Sequence, residues 1–265
     1  MSIHRCYLSM KSTRRAPPVF RDTADTYSFR GPAPLHHTLL SGCKATGITL
    51  QTLHPKHFDR GVILAQTPYP GFNHEATTVS ELEALVTPKA TEMLVKGVRG
   101  RIFVPPLQDV GWDKDHQQST ELRHAPKITT EDRHIDWNKW TAKEILQRQK
   151  VIGPLWNFAR SSVAGRTRMQ RIIWTSGFST VPNSDQKTLR PGHPSLKSLG
   201  SIARDSHSML VQTRDGYTLQ VDEAKVEGGK AEKVSAASRR AGMIELSEPL
   251  EVSPESSIWF RGPLV

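Results

Sequence analysis

The chain reads as an α/β module followed by a mostly β module. Between residues 29 and 100, strand-like runs alternate with capped helical patterns. Beyond residue 170, short apolar runs recur between polar loops, as in a small β-barrel or sandwich. The charge also changes character along the chain. Nine basic residues face ten acidic ones over 22–120, but 22 face 16 over 121–265. With 265 residues there is room for two domains that each bury a core.

Residues 1–21 carry Arg5, Lys11, Arg14, Arg15 and Arg21 and no acid. That composition suits a mitochondrial targeting segment or a plain tail, and Pro17-Pro18 would end any helix there. A loop, Ser28-Phe29-Arg30-Gly31-Pro32-Ala33-Pro34, leads into a short helix whose Leu35, Leu39 and Leu40 share a face and which Gly42 stops. The β-branched run 47–53 and the run 62–66 read as strands, and their short connection makes them an antiparallel pair. Thr78-Val79-Ser80-Glu81 is a capping box that opens a helix through Leu82, Leu85 and Val86. Pro88 either kinks that helix or starts a second one carrying Ala90, Met93, Leu94 and Val98. The polar stretch from Pro105 to Arg133 reads as an interdomain linker. A second capping box, Thr141-Ala142-Lys143-Glu144, starts a helix that Gly153-Pro154 ends at Ile152. Runs at 171–174, 208–212 and 217–221 are strand-like, and Arg214-Asp215-Gly216 signals a hairpin between the last two.

Two cysteines, Cys6 and Cys43, build neither a disulfide framework nor a four-cysteine zinc site. No apolar run is long enough to span a membrane. His36-His37 and His54-x-x-His57 have no third ligand at useful spacing, so no metal is expected. Cys43 has no recognisable base partner and reads as inert. The formal charge of +10 directs attention to polyanions, and the surplus is concentrated. Lys139, Lys143, Arg148, Lys150, Arg160, Arg166, Arg168 and Arg171 face a single acid, Glu144. That segment is either a solvated face or a phosphate-binding one. Of its interleaved aromatics, Trp156 and Phe158 are assigned to packing.

Arg30-Gly31-Pro32-Ala33-Pro34, Thr46-Gly47-Ile48-Thr49 and Phe58-Asp59-Arg60-Gly61-Val62-Ile63-Leu64-Ala65-Gln66 resemble, in order and spacing, segments of the methionyl-tRNA formyltransferases. Ala125-Pro126-Lys127-Ile128-Thr129 and Ile135-Asp136-Trp137 resemble that family's interdomain signature. The resemblance implies the later part of a Rossmann-like formyltransferase domain at 29–112 and a linker at 113–134. It further implies an OB-like, tRNA-binding β-barrel at 135–265, with 1–28 left as a leader. It implies formyl transfer from 10-formyltetrahydrofolate to methionyl initiator tRNA by a monomer of the mitochondrial matrix, without metal or membrane. Asp59 matches the family's catalytic aspartate. Arg30, Gly31, Pro34 and Gly61 match the substrate and folate loops, and the eight basic residues of 139–171 become the RNA contacts. The family's Asn-x-His pair has no counterpart, because Asp22-Thr23-Ala24-Asp25-Thr26-Tyr27-Ser28 stands in its place. The chain therefore reads as N-terminally shortened, and two rival readings stand beside the enzyme. One is a non-catalytic RNA-binding remnant; the other is a fragment of a different 10-formyltetrahydrofolate-using enzyme. Ile48, Leu50 and Ile63 would then lack the strands that cover them and be exposed.

Overall fold

The structure is a computed structural model that describes residues 6–13, 28–53, 61–68, 71–111, 122–163, 166–181, 191–192, 194–198, 207–242 and 260–261. They belong to two compact units, 1–128 and 129–265.

The first unit is built around one strand. β1 (Cys6–Thr13), within the stretch expected as a leader, pairs antiparallel with β3 (Ala45–Thr52). β4 (Ile63–Gln66) and β5 (Phe72–Asn73) pair antiparallel along β3's other edge. β2 (Ser28–Arg30) instead pairs in parallel with β6 (Leu122–His124), which lies in the stretch expected as a linker. Between β2 and β3 runs α1 (Pro34–Leu40), ended by Gly42 at φ +70°. α2 (Val79–Arg99) opens on the expected capping box, with the Glu81 backbone N–H donating to the Thr78 hydroxyl. The backbone N–H groups of Thr77 and Thr78 hold the Glu81 carboxyl below its ordinary range. Pro88 does not start a second helix, since one helix runs from Val79 to Arg99. It sits on the exposed side, while Leu82, Val86, Ala90 and Gly97 form one continuous buried stripe. That stripe packs on β3, where Gly97 leaves room for the Leu50 side chain. Ile48, Leu50 and Ile63 are 1, 2 and 7% exposed rather than bare as expected.

In the second unit, α3 (Ala142–Ile152) begins at the Thr141 capping box and ends at Gly153, φ +83°. A long hairpin follows, β7 (Trp156–Val163) with β8 (Arg166–Trp174), in register from Trp156↔Ile173 to Val163↔Arg166. Adding β13 (Glu223–Val226) and β14 (Ala231–Lys233) beyond β8, and β15 (Phe260–Arg261) beyond β7, completes a five-stranded antiparallel sheet. A second, four-stranded sheet joins β10 (Pro194–Ser198), β11 (His207–Gln212), β12 (Thr218–Val221) and β9 (Ser179–Val181). The expected hairpin turn sits between β11 and β12, with Gly216 at φ +82°. α4 (Val234–Arg240) follows β14. Among the described residues the two sheets remain separate ladders rather than one closed circuit.

Two polar contacts tie this unit together. The Trp174 indole N–H donates to Asn157 Oδ1 at 2.7 Å, with both residues fully buried. The Asp215 carboxylate in the β11–β12 turn accepts the Thr213 hydroxyl at 2.6 Å and the Ala142 backbone N–H at 3.1 Å, adding a second cap to α3. Burial works to raise the Asp215 pKa, but these donors outweigh it and hold the carboxyl below its ordinary value.

Asn157→Leu leaves a buried indole N–H without its acceptor and is expected to cost about 1–3 kcal/mol in denaturant unfolding. Combining it with Trp174→Phe should recover part of that loss. Asp215→Asn is expected to lower stability at neutral pH. Because the folded pKa is depressed, the parent's advantage is present above the unfolded carboxyl value and shrinks as pH falls through the folded one. Melting curves of the two proteins should therefore converge in acid.

Candidate functional site

In the first unit, the two signature segments, about 90 residues apart in sequence, come together. The β2–β6 pairing sets Phe29 beside Arg123 and Arg30 beside His124. Directly after β2 the chain turns at Gly31, φ +134°, where an added Cβ would stand 2.5 Å from the Ala125 carbonyl oxygen. That same oxygen accepts the Ala33 N–H at 3.2 Å. Pro34 opens α1 with its φ already suited to a helix, and its carbonyl accepts the Thr38 hydroxyl at 2.9 Å. One turn into α1, His37 Nε2–H donates to the Pro126 carbonyl at 3.0 Å. Phe29, Cys43 and Ala125 form the small buried core beneath the loop.

Gly61 lies against the end of β3. An added Cβ there would overlap the Thr52 carbonyl, and Val62 and Thr52 exchange two hydrogen bonds of 2.9 Å beside it. Asp59, with His54 and His57, lies outside the described residues, as does the side chain of Arg30. Among the described residues, no three His, Cys, Asp or Glu side chains gather as metal ligands, and no helix is long and apolar enough to cross a membrane.

In the second unit the eight cations of 139–171 separate into different environments. Lys139 Nζ lies 3.5 Å from the buried Asp136 carboxylate. The Arg148 guanidinium stacks on Trp140 at 4.1 Å, and its burial holds its pKa below the ordinary arginine value. Arg171 pairs with Glu227 at 2.9 Å and lies over the Trp156 ring at 5.3 Å. Lys143 and Lys150 are exposed on α3, and Arg160 and Arg168 on β7 and β8. Arg166 lies in β8 with its side chain outside the described residues.

Trp156 is buried as expected of a packing residue, but its partner is His134, stacked parallel at 4.2 Å. The sequence reading missed β7, although Trp156, Phe158 and Arg160 alternate with the small buried Asn157, Ala159 and Ser161 at the period of a strand. It also missed His37 and Ala125 as partners of the loop, and no local signal points to that pairing.

Residues 127–241 match the family model described as formyl transferase, C-terminal domain, and this span coincides closely with the second unit through α4. The mitochondrial methionyl-tRNA formyltransferase of Homo sapiens is 33% identical over 190 residues, covering 71% of this chain and 45% of that protein. Its Saccharomyces cerevisiae counterpart is 30% identical over 168 residues, covering 54% of this chain and 39% of that one. The methionyl-tRNA formyltransferase of Enterococcus faecalis is 28% identical over 202 residues, covering 76% and 56% respectively. The chain thus carries a formyl transferase C-terminal domain. The chain is similar to these methionyl-tRNA formyltransferases and spans about half their length.

Gly31→Ala is expected to cost about 1–3 kcal/mol, combining a positive φ with a clash against backbone that cannot yield. Gly228, φ +79° with nothing within 4 Å of an added Cβ, supplies the control. Gly228→Ala carries the conformational penalty alone and should lower the unfolding midpoint less.

Proposed function

We propose that this chain transfers the formyl group of 10-formyltetrahydrofolate to the α-amino group of methionine on initiator tRNA, in mitochondrial translation initiation. One observation carries the reading: the Arg30–Pro34 loop and Ala125–Pro126 are joined in one unit, immediately upstream of a formyl transferase C-terminal domain. On this reading residues 29–112 are the later part of a Rossmann-like formyltransferase domain and 113–134 its connection. Residues 135–265 form an OB-like barrel for tRNA. The division into units at 128 and 129 supports a two-domain arrangement, and the mitochondrial relatives support the matrix as its location.

The chemistry asks for three things. A neutral amine attacks the formyl carbon, so a C–N bond forms and an oxyanion develops. The attacking nitrogen then sheds a proton, and tetrahydrofolate leaves as the C–N bond to the donor breaks. Asp59 is assigned the relay of that proton. Arg30, Gly31, Pro34 and Gly61 are assigned to holding the donor and acceptor in line, which a loop pinned at Ala125 and Thr52 suits. The cations of 139–171 are assigned to the tRNA phosphates.

A second reading rests on a specific observation: residues 22–28 hold neither the Asn nor the His that would stabilise the oxyanion. The chain is then an RNA-binding protein without transfer activity. Purified protein given the formyl donor and charged initiator tRNA separates the two. Transfer above background that falls about 10²–10⁴-fold in Asp59→Asn is the expected outcome. Salt-sensitive tRNA binding without any transfer would establish the second reading instead.

A further inference from the structure

Among the described residues of the first unit, His74 is the buried side chain whose polar atoms lack partners. Neither Nδ1 nor Nε2 has a hydrogen bond, and the residue is 4% exposed. It directly follows β5, a strand of two residues, and its backbone N–H donates to the Lys44 carbonyl at 2.9 Å. That bond and the pairs Ala45↔Asn73 and Thr46↔Phe72 hold the segment against the start of β3. Three residues further on, the Thr77 and Thr78 N–H groups donate to the Glu81 carboxylate at the start of α2. A ladder this short opens locally at small cost, without unfolding of the strand it lies on.

The charges around the ring do not favour a proton on it. Lys44, just before β3, repels one, and β3 itself carries no titratable group. Glu75 attracts one, but its exposed carboxylate is already paired with Lys44 at 3.5 Å. From α2, Lys89 brings a second ammonium over the Phe72 ring at 5.1 Å, and Glu81 is committed to the helix cap. Burial first and Lys44 second hold the His74 pKa below the ordinary histidine value. We propose that His74 makes the segment 71–75 an acid-released latch: with a neutral ring it lies closed along β3, and the ring takes a proton only as the segment opens. A buried imidazolium with no acceptor for either N–H is the state that the closed form excludes. Because the folded pKa is depressed, the open form binds the proton first. The closed form therefore loses ground as pH falls below the open-state value of about 6.5.

Hydrogen exchange of the full chain as a function of pH, corrected for intrinsic rates, tests the latch. The residue-74 amide, bonded to the Lys44 carbonyl, reports opening, and the Trp174 amide, bonded to the Leu155 carbonyl in the second unit, is the reference. From about pH 7.5 to about pH 5.5 the opening constant at residue 74 is expected to rise severalfold, with a ceiling of about tenfold, while that at Trp174 stays level. In His74→Gln and in His74→Leu the residue-74 value should stay level as well. A level parent, an equal rise at Trp174, or a parental rise in either folded variant overturns the proposal. The ring itself gives a reading that needs no variant. In the parent the His74 imidazole signals are expected to titrate below about 6.5. A ring that takes its proton at or above that value while its own amide stays protected overturns the latch, whether or not the variants fold.

Discussion

All eight residues of β3 are buried, four of them polar: Thr46, Thr49, Gln51 and Thr52. A strand buried on both faces and both edges must find partners for every polar group it carries, because each unpaired one costs roughly 1–3 kcal/mol. The first unit is arranged around that demand. β1 takes one edge and β4 and β5 the other, while the Thr49 hydroxyl accepts from the Gln66 side chain at 3.2 Å and the Thr52 hydroxyl from the Val62 N–H. The returning chain comes so close that glycine is required at both ends of the strand. Gly61 abuts the Thr52 carbonyl, and Gly71, φ +91°, abuts that of Thr46. Gly61 also closes the segment that contains Asp59. Where the chain re-enters the described structure after that segment is thus a consequence of how β3 is satisfied.

Features decided within one turn of chain were legible in the sequence. Both capping boxes form, and Gly42, Gly153 and Gly216 hold the positive φ their positions suggested. Each depends on a side chain and a backbone group three or four residues apart, so the residues involved are visible together. Pairings across long intervals were not legible. β1 was hidden in an arginine-rich stretch whose composition suits a leader, and β6 in a polar stretch whose composition suits a linker. A three-residue strand carries too little periodicity to stand out, and its identity comes from the partner it meets. Pro88 illustrates the same asymmetry, since the local rule favours a break there but a single helix with a buried stripe runs from Val79 to Arg99.

The signature segments of the loop occupy an intermediate position. Their residues stand out in the sequence, but what they do for one another becomes visible only when Gly31, Ala33 and His37 all converge on Ala125 and Pro126. One backbone oxygen takes a hydrogen bond and also bars a side chain. A second carbonyl, one residue on, fixes the first turn of α1. Two segments that would each be an ordinary surface turn are joined by these contacts into a single hydrogen-bonded element.

Counting charges along a chain treats every cation as equally available, and in the second unit they are not. A lysine beside a buried carboxylate is held by the cost of leaving that carboxylate alone, and a guanidinium stacked on an indole gives up both stacking and packing if it swings out to a phosphate. Exposure is set by the sheet's two-residue alternation, which turns Arg160 and Lys225 outward because Ala159, Ser161, Ala224 and Val226 must turn in. The same hydrophobic requirement that builds the core therefore selects which positive charges reach solvent. It also brings a lysine of β13 into line with an arginine of β7, 65 residues earlier in the chain and two strands away in the sheet.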